Sequence, residues 1–262
     1  MSLEALEPFQ GTHAIQNAVF SIEWKEGLTD KEFKGLKTEI QTHLQKFKVF
    51  KSMKTVVFNM TGEVPAHAMS EDGSFVVEIP GDFAEPPCRL IHINKEGCVV
   101  VINDYSRWKN VKPEVHGYLN RLLGSINSRK LSAVSLQYTD LFIWKADPDQ
   151  LKLKEIFREG TPFLAPKVFD LNVMWHCNFG FFEPMEEVQF PDRLNNVNVS
   201  RVLHGDNHAF NITTSHRLVL TKWFDARNLE LIETINERFH DANKSILKSL
   251  LTDEVCTKIS LV

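Results

Sequence analysis

Apolar and polar positions alternate along Leu131–Trp144 (LSAVSLQYTDLFIW) with the two-residue period of a strand. Val134, Leu136, Tyr138, Phe142 and Trp144 share one face, and Asp140 has the same parity. A carboxylate on an apolar face needs a partner or a raised pKa. The expectation is therefore a buried Asp140 held by a cation or several donors, with Arg107 as the candidate cation. His13–Trp24, Thr55–Met60, Phe75–Ile79, Cys88–Asn94, Cys98–Asn103, Asp170–Phe182, Val197–His204 and His208–Phe224 also read as strands. In the strand before Phe182, Leu171, Val173, Trp175, Cys177, Phe179 and Phe181 share a face. Glu71-Asp72-Gly73-Ser74 predicts a turn, and Asn94-Lys95-Glu96-Gly97 a hairpin connection. Val99–Ile102 does not alternate, which predicts a strand buried on both faces near the middle of a sheet.

Helical spacing takes over elsewhere. Thr29 and Glu32 form a capping box ahead of Phe33, Leu36, Ile40, Leu44 and Phe47. Val115, Tyr118, Leu119, Leu122, Leu123 and Ile126 predict a helix over 112–129, with Pro113 in its first turn. A short helix is predicted up to Phe157. Leu231, Ile235, Phe239, Ala242, Ile246 and Leu250 predict a long helix over 228–251.

Strands followed by one long helix occur twice, ending at Arg129 and at Leu251. Tight turns between strands favour antiparallel pairing. The expected class is α+β, with antiparallel or mixed sheets and long amphipathic helices packed on one face. Residues 1–262 are expected to form a single α+β domain. Its two similar halves, if they are subdomains, meet near 130–165.

Composition narrows the function classes. Hydrophobic residues make up 43% and charged residues 24%, which are globular values. A net charge of -4 gives no overall attraction to nucleic acid or to anionic membrane. The 19 phenylalanines against 3 tyrosines put unusual aromatic mass without a polar handle into cores or grooves. Cys88, Cys98, Cys177 and Cys256 form no CxxC pair. Reduced thiols, an N-terminal stretch without an apolar h-region and no 18-residue apolar run make a cytoplasmic location the expectation. P-loop, dinucleotide, nucleophile-elbow and HExxH motifs are absent, so no cofactor is expected. His204-Gly-Asp-Asn-His208 has a metal-like spacing, with Asp206 as third ligand. Its Gly-Asp-Asn centre is ordinary hairpin chemistry, and no metal is expected there.

Ile15–Trp24 (IQNAVFSIEW), Val101–Lys109 (VINDYSRWK) and Val134–Phe142 (VSLQYTDLF), with Phe239 in the closing helix, resemble a sporadically distributed bacterial family. Its members are of about this length and have no established activity. Asp140 departs from the pattern, where an Asn is expected. The resemblance implies a bacterial origin and a patchy distribution, and no reaction.

Asp104, Tyr105, Arg107 and Trp108 occupy a strand exit, and hot-spot residue types at such an exit suit recognition. With Tyr138 and Asp140 they are the candidate binding residues. The leading expectation is a non-catalytic interaction protein whose partner is another protein. Its role would be that of an accessory, antitoxin or immunity component of a defence or toxin system. The alternative is a hydrolase or nuclease built around Asp104, Arg107 and Asp140.

Overall fold

The computed structural model describes residues 3–43, 47, 49–57, 68–81, 86–185 and 190–261. Leu44 of the first helical stripe and the end of the predicted Thr55–Met60 strand lie outside the described residues. The chain is α+β with a mostly antiparallel sheet. It divides into two compact units: Phe20–Val134 with Leu220–Glu230, and Met1–Val19 with Ser135–Val219 and Leu231–Val262.

In the first of these units, α1 (Asp30–His43) starts at the capping box read from the sequence. Glu32 Oε2 accepts from the Thr29 backbone N–H at 2.9 Å, and the Glu32 N–H donates back to Thr29 Oγ1 at 3.3 Å. Strands β3 (Val49–Val57), β4 (Ala68–Ile79), β5 (Arg89–Asn94) and β6 (Gly97–Ile102) pair antiparallel in sequence order. The turn predicted at Glu71–Ser74 is instead part of β4. The register slips there: Met53 faces Ser74 and Thr55 faces Ser70, so residues 71–73 oppose residue 54 alone. The turn-forming residues are absorbed in a bulge. Strand β6 also alternates. Cys98, Val100 and Ile102 are buried, while Val99 and Val101 are half-buried. Helix α2 (Trp108–Gly124) begins four residues earlier than predicted, because the Arg107 carbonyl accepts the Asn110 and Val111 N–H groups and closes the first turn. Pro113 therefore sits inside the helix. The core of this unit includes Phe33 and Phe75, whose rings lie 5.3 Å apart, with Leu36 and Ile40 of α1 and Val115, Leu119 and Leu122 of α2 buried.

The other unit carries β1 (Leu6–Pro8), the first half of β2 (Ile15–Trp24) and most of β7 (Leu131–Trp144), with β8 (Trp175–Glu183), β9 (Arg193–His204) and β10 (Asn207–Val219). The order is β7-β10-β9-β8, with β1 paired to β7. Every even position of β7 from Val134 to Trp144 is buried, as its alternation predicts. Leu171 and Val173, read as strand, precede β8. The chain forms a short 3-10 turn at Pro166–Asp170, and Val173 is exposed. Helix α4 (Leu229–Leu250) buries Ile235, Phe239, Ile246 and Leu250. Short helices α3 (Leu153–Ile156) and α5 (Asp253–Lys258) contribute Ile156 and Val255 to a core that includes Phe142, Trp175, Val197 and Phe210. Among the described residues, no helix is long and apolar enough to cross a membrane.

Candidate functional site

β8 is the last strand of its order, bonded to β9 on one side. Its sequence, WHCNFGFFE, contains no lysine and no proline. Natural edges are blunted by inward charges, prolines or bulges, because an open row of N–H and C=O groups templates pairing with another chain. Strand β3, at the start of its own unit's order, has such guards: the register slip, and Lys51 paired with Glu78 at 2.9 Å. On β8, six of nine residues are exposed, and Phe182 is 70% exposed. Gly180 sits where Asn196 Oδ1 fills the space of a Cβ, 2.7 Å away.

Two grooves flank this edge. One of ≈ 420 Å³ is lined by Phe181, Glu183 and Met185 with Arg238 and Asp241 of α4. The other, of ≈ 650 Å³, is lined by Cys177 and Phe179 with Phe169. Phe163 borders both, its ring 5.9 Å from Phe179 and 6.0 Å from Phe181. Cys177 and Phe179 thus line one groove and Phe181 and Glu183 the other, all four on the same face of β8, with Phe163 as an aromatic divider between the grooves.

Behind the smaller groove a polar array runs under α4. The Arg193 guanidinium meets the Glu183 carboxylate, and its Nε donates to Asn195 Oδ1 at 2.9 Å. Asn195 Nδ2 donates to Glu183 Oε2 at 3.1 Å, which orients the amide. Its Oδ1 therefore accepts from His216 Nδ1 at 2.7 Å, and that assigns the imidazole proton to Nδ1. His216 Nε2 is buried without a hydrogen-bond partner among the described residues. Burial first, then the Arg193 charge, hold the His216 imidazole down to about 3. Further along the same helix Thr214 Oγ1 donates to Asn243 Oδ1.

The sequence-predicted residues fall in both units. Asp104, Tyr105, Arg107 and Trp108 lie together at the start of α2. The Arg89 guanidinium contacts Asp104 and forms a bidentate pair with Glu114 at 3.0 and 2.8 Å. Tyr105 is buried, and Trp108 stacks on Phe20 with ring centroids 6.0 Å apart. Tyr138 and Asp140 lie in the other unit, both buried. Asp140, 1% exposed, has no ion pair, and its Oδ2 has no hydrogen-bond partner among the described residues. The cation expected beside it is not found among them. Burial alone pushes its carboxyl up to about 7. His204 and His208 do not converge. His208 is in register with Leu203, which has the parity of Arg201, so His204 lies on the opposite face of the ladder. Among the described residues no group of three histidines, cysteines or carboxylates is arranged to hold a metal.

Sequence reasoning passed over Glu183, Arg193, Arg201 and the edge phenylalanines. An aromatic strand without lysine or proline was the available signal for the last of these. No protein-family model matches the chain, and no curated protein matches it in sequence.

Proposed function

We propose that this chain is a non-catalytic binding protein that takes an extended segment of another protein as an added strand along β8. The β8 edge, without lysine or proline and with two grooves lined by successive side chains of one face, carries the reading. In strand addition, main-chain hydrogen bonds supply affinity and pockets for alternate side chains supply selectivity. The occupant is an extended peptide with apolar residues at alternate positions, to meet Phe163, Phe179 and Phe181. Accessory, antitoxin or immunity roles, expected from the sequence, are forms that such binding takes.

The test is selection of random dodecapeptides displayed on phage against the whole chain. Enriched peptides should show apolar residues two apart. They should lose at least tenfold in affinity when their amides are N-methylated at alternate positions, or when the chain carries Phe179→Lys with an unchanged melting temperature. Peptides that bind as helices, insensitivity to Phe179→Lys, or sedimentation showing β8 already occupied by a second copy would each reject the reading.

A further inference from the structure

Three arginines among the described residues are more than nine-tenths buried. Arg129 pairs with Glu32 and Arg193 with Glu183. Arg201 on β9, 3% exposed, has no carboxylate within ion-pair distance among the described residues. Its hydrogen bonds are two long ones, Nε to His208 Nδ1 at 3.4 Å and Nη1 to Asn172 Oδ1 at 3.5 Å. Both exceed the usual N–H···O range of about 2.7–3.2 Å. Its cross-strand neighbours are Trp175 and Phe210, which offer no compensating charge. A buried guanidinium normally carries a partner, because desolvating it unpaired is costly.

The guanidinium borders a groove of ≈ 640 Å³, within the size range of small-ligand sites. Leu151, Leu153, Phe169 and Leu171 give this groove apolar walls. Two of its rim acids are already matched, Glu155 by Lys152 at 3.4 Å and Asp170 by Lys167 at 3.9 Å. Asp149 adds a further carboxylate to the rim. Lys152 and Lys154 also line the groove, so its charges nearly balance, and the single buried guanidinium suits a monoanion better than a multiply charged phosphate. The planar fork of an arginine fits a carboxylate bidentately.

We propose that Arg201 is the floor of a pocket for a small organic acid, its carboxylate on the guanidinium and its apolar body against Leu151, Leu153, Phe169 and Leu171. Asn172 and His208 position the fork. This groove shares Phe169 with one of the β8 grooves, but the carboxylate site on Arg201 does not depend on the strand-addition reading.

The test is calorimetric and NMR titration of the full chain with hexanoate, hexanamide, N-acetyl-leucine and inorganic phosphate. Hexanoate should bind saturably and shift the Asn172 and His208 resonances, and hexanamide should bind at least tenfold more weakly. N-acetyl-leucine distinguishes a peptide C-terminus from a free acid as the natural source of the carboxylate. Its binding more tightly than hexanoate assigns the former, and the reverse assigns the latter. Arg201→Met, which removes an unpaired buried charge and should keep the fold, should abolish hexanoate binding. Arg201→Lys covers the case in which the methionine variant does not fold, and should weaken binding at least tenfold. Equal binding of hexanamide, a preference for phosphate, or undiminished hexanoate binding by a folded Arg201 variant would overturn the proposal.

Discussion

The phenol oxygen of Tyr138 and Nδ1 of His240 stand 3.0 Å apart, joining strand β7 to helix α4. The imidazole is uncharged at neutral pH. Burial first, then the Lys244 charge, hold it down to about 4, against the opposing pull of Asp241 and Glu237. His216 is held lower, to about 3.

Both histidines have folded-state pKa values below their ordinary 6.5, so the unfolded chain takes up these protons first as pH falls. Their contribution to stability is complete above pH 6.5 and is lost between 6.5 and about 3–4. For the fully buried His216 the loss is on the order of 4 kcal/mol. Titrated by NMR, the Cε1–H resonances of both rings should stay flat from pH 8 to pH 5.5. A midpoint near 6.5 for either would refute this. Tyr138→Phe should cost about 1–2 kcal/mol in urea unfolding, since it strips a hydrogen bond from a largely buried ring nitrogen.

Asp140 has the opposite sign. Its folded-state pKa, about 7, lies above its ordinary 3.8, so its contribution is fully present below pH 3.8 and is lost as pH rises through 7. Above pH 7 the fold holds a buried carboxylate without a counter-ion among the described residues. Asp140→Asn keeps the shape and removes the charge. It should stabilise the protein by about 2 kcal/mol or more at pH 8, by less at pH 5, and change little near pH 3.5. Equal urea midpoints for variant and parent at pH 8 would sink the argument.

Two glycines should respond in opposite directions to alanine. A Cβ on Gly97 would sit 2.5 Å from the backbone oxygen of Ile22, which cannot rotate away. Gly97→Ala should therefore cost about 2 kcal/mol or more by overpacking. Gly117 lies within α2, and a methyl group there would meet nothing inside 4 Å. Gly117→Ala should therefore gain about 0.5–1 kcal/mol from helix propensity alone. Thermal melts of the two variants check both signs.

Local chemistry and the hairpin pairings at Asn94–Gly97 and Gly205–Asn207 were legible in the sequence, and longer-range pairing was not. The Thr29–Glu32 box, the stripe of α4 and the even face of β7 depend on neighbours a few residues apart, and each is found in the structure. Glu71–Ser74 reads as a turn from the same local rules, yet strand pairing with β3 pulls it into a bulge. That β8 ends its order, and that Arg201 lacks among the described residues the acid that Arg129 and Arg193 have, are facts about residues distant in the chain. Alternation along one strand carries no trace of them. Asp140 was legible as a buried carboxylate because parity reveals burial, whereas its missing partner is a tertiary property.

The ion pair beneath the β8 groove should also be asymmetric. Arg193 is buried, but the Glu183 side chain is 49% exposed. Glu183→Ala leaves a buried guanidinium with, among the described residues, only Asn195 and the Arg238 carbonyl as oxygen acceptors, and should cost about 2–4 kcal/mol. Arg193→Met leaves a carboxylate that water can reach and fills the same volume with an apolar chain, so its cost should be smaller. It also removes the charge that, after burial, holds the His216 imidazole down. His216 should then titrate at a higher pH in Arg193→Met than in the parent, with Glu183→Ala lacking that upward shift. Urea unfolding of both variants, with the His216 Cε1–H titration, reads the two effects separately. A larger loss for Arg193→Met than for Glu183→Ala, or an unmoved His216, would reject this account of the array.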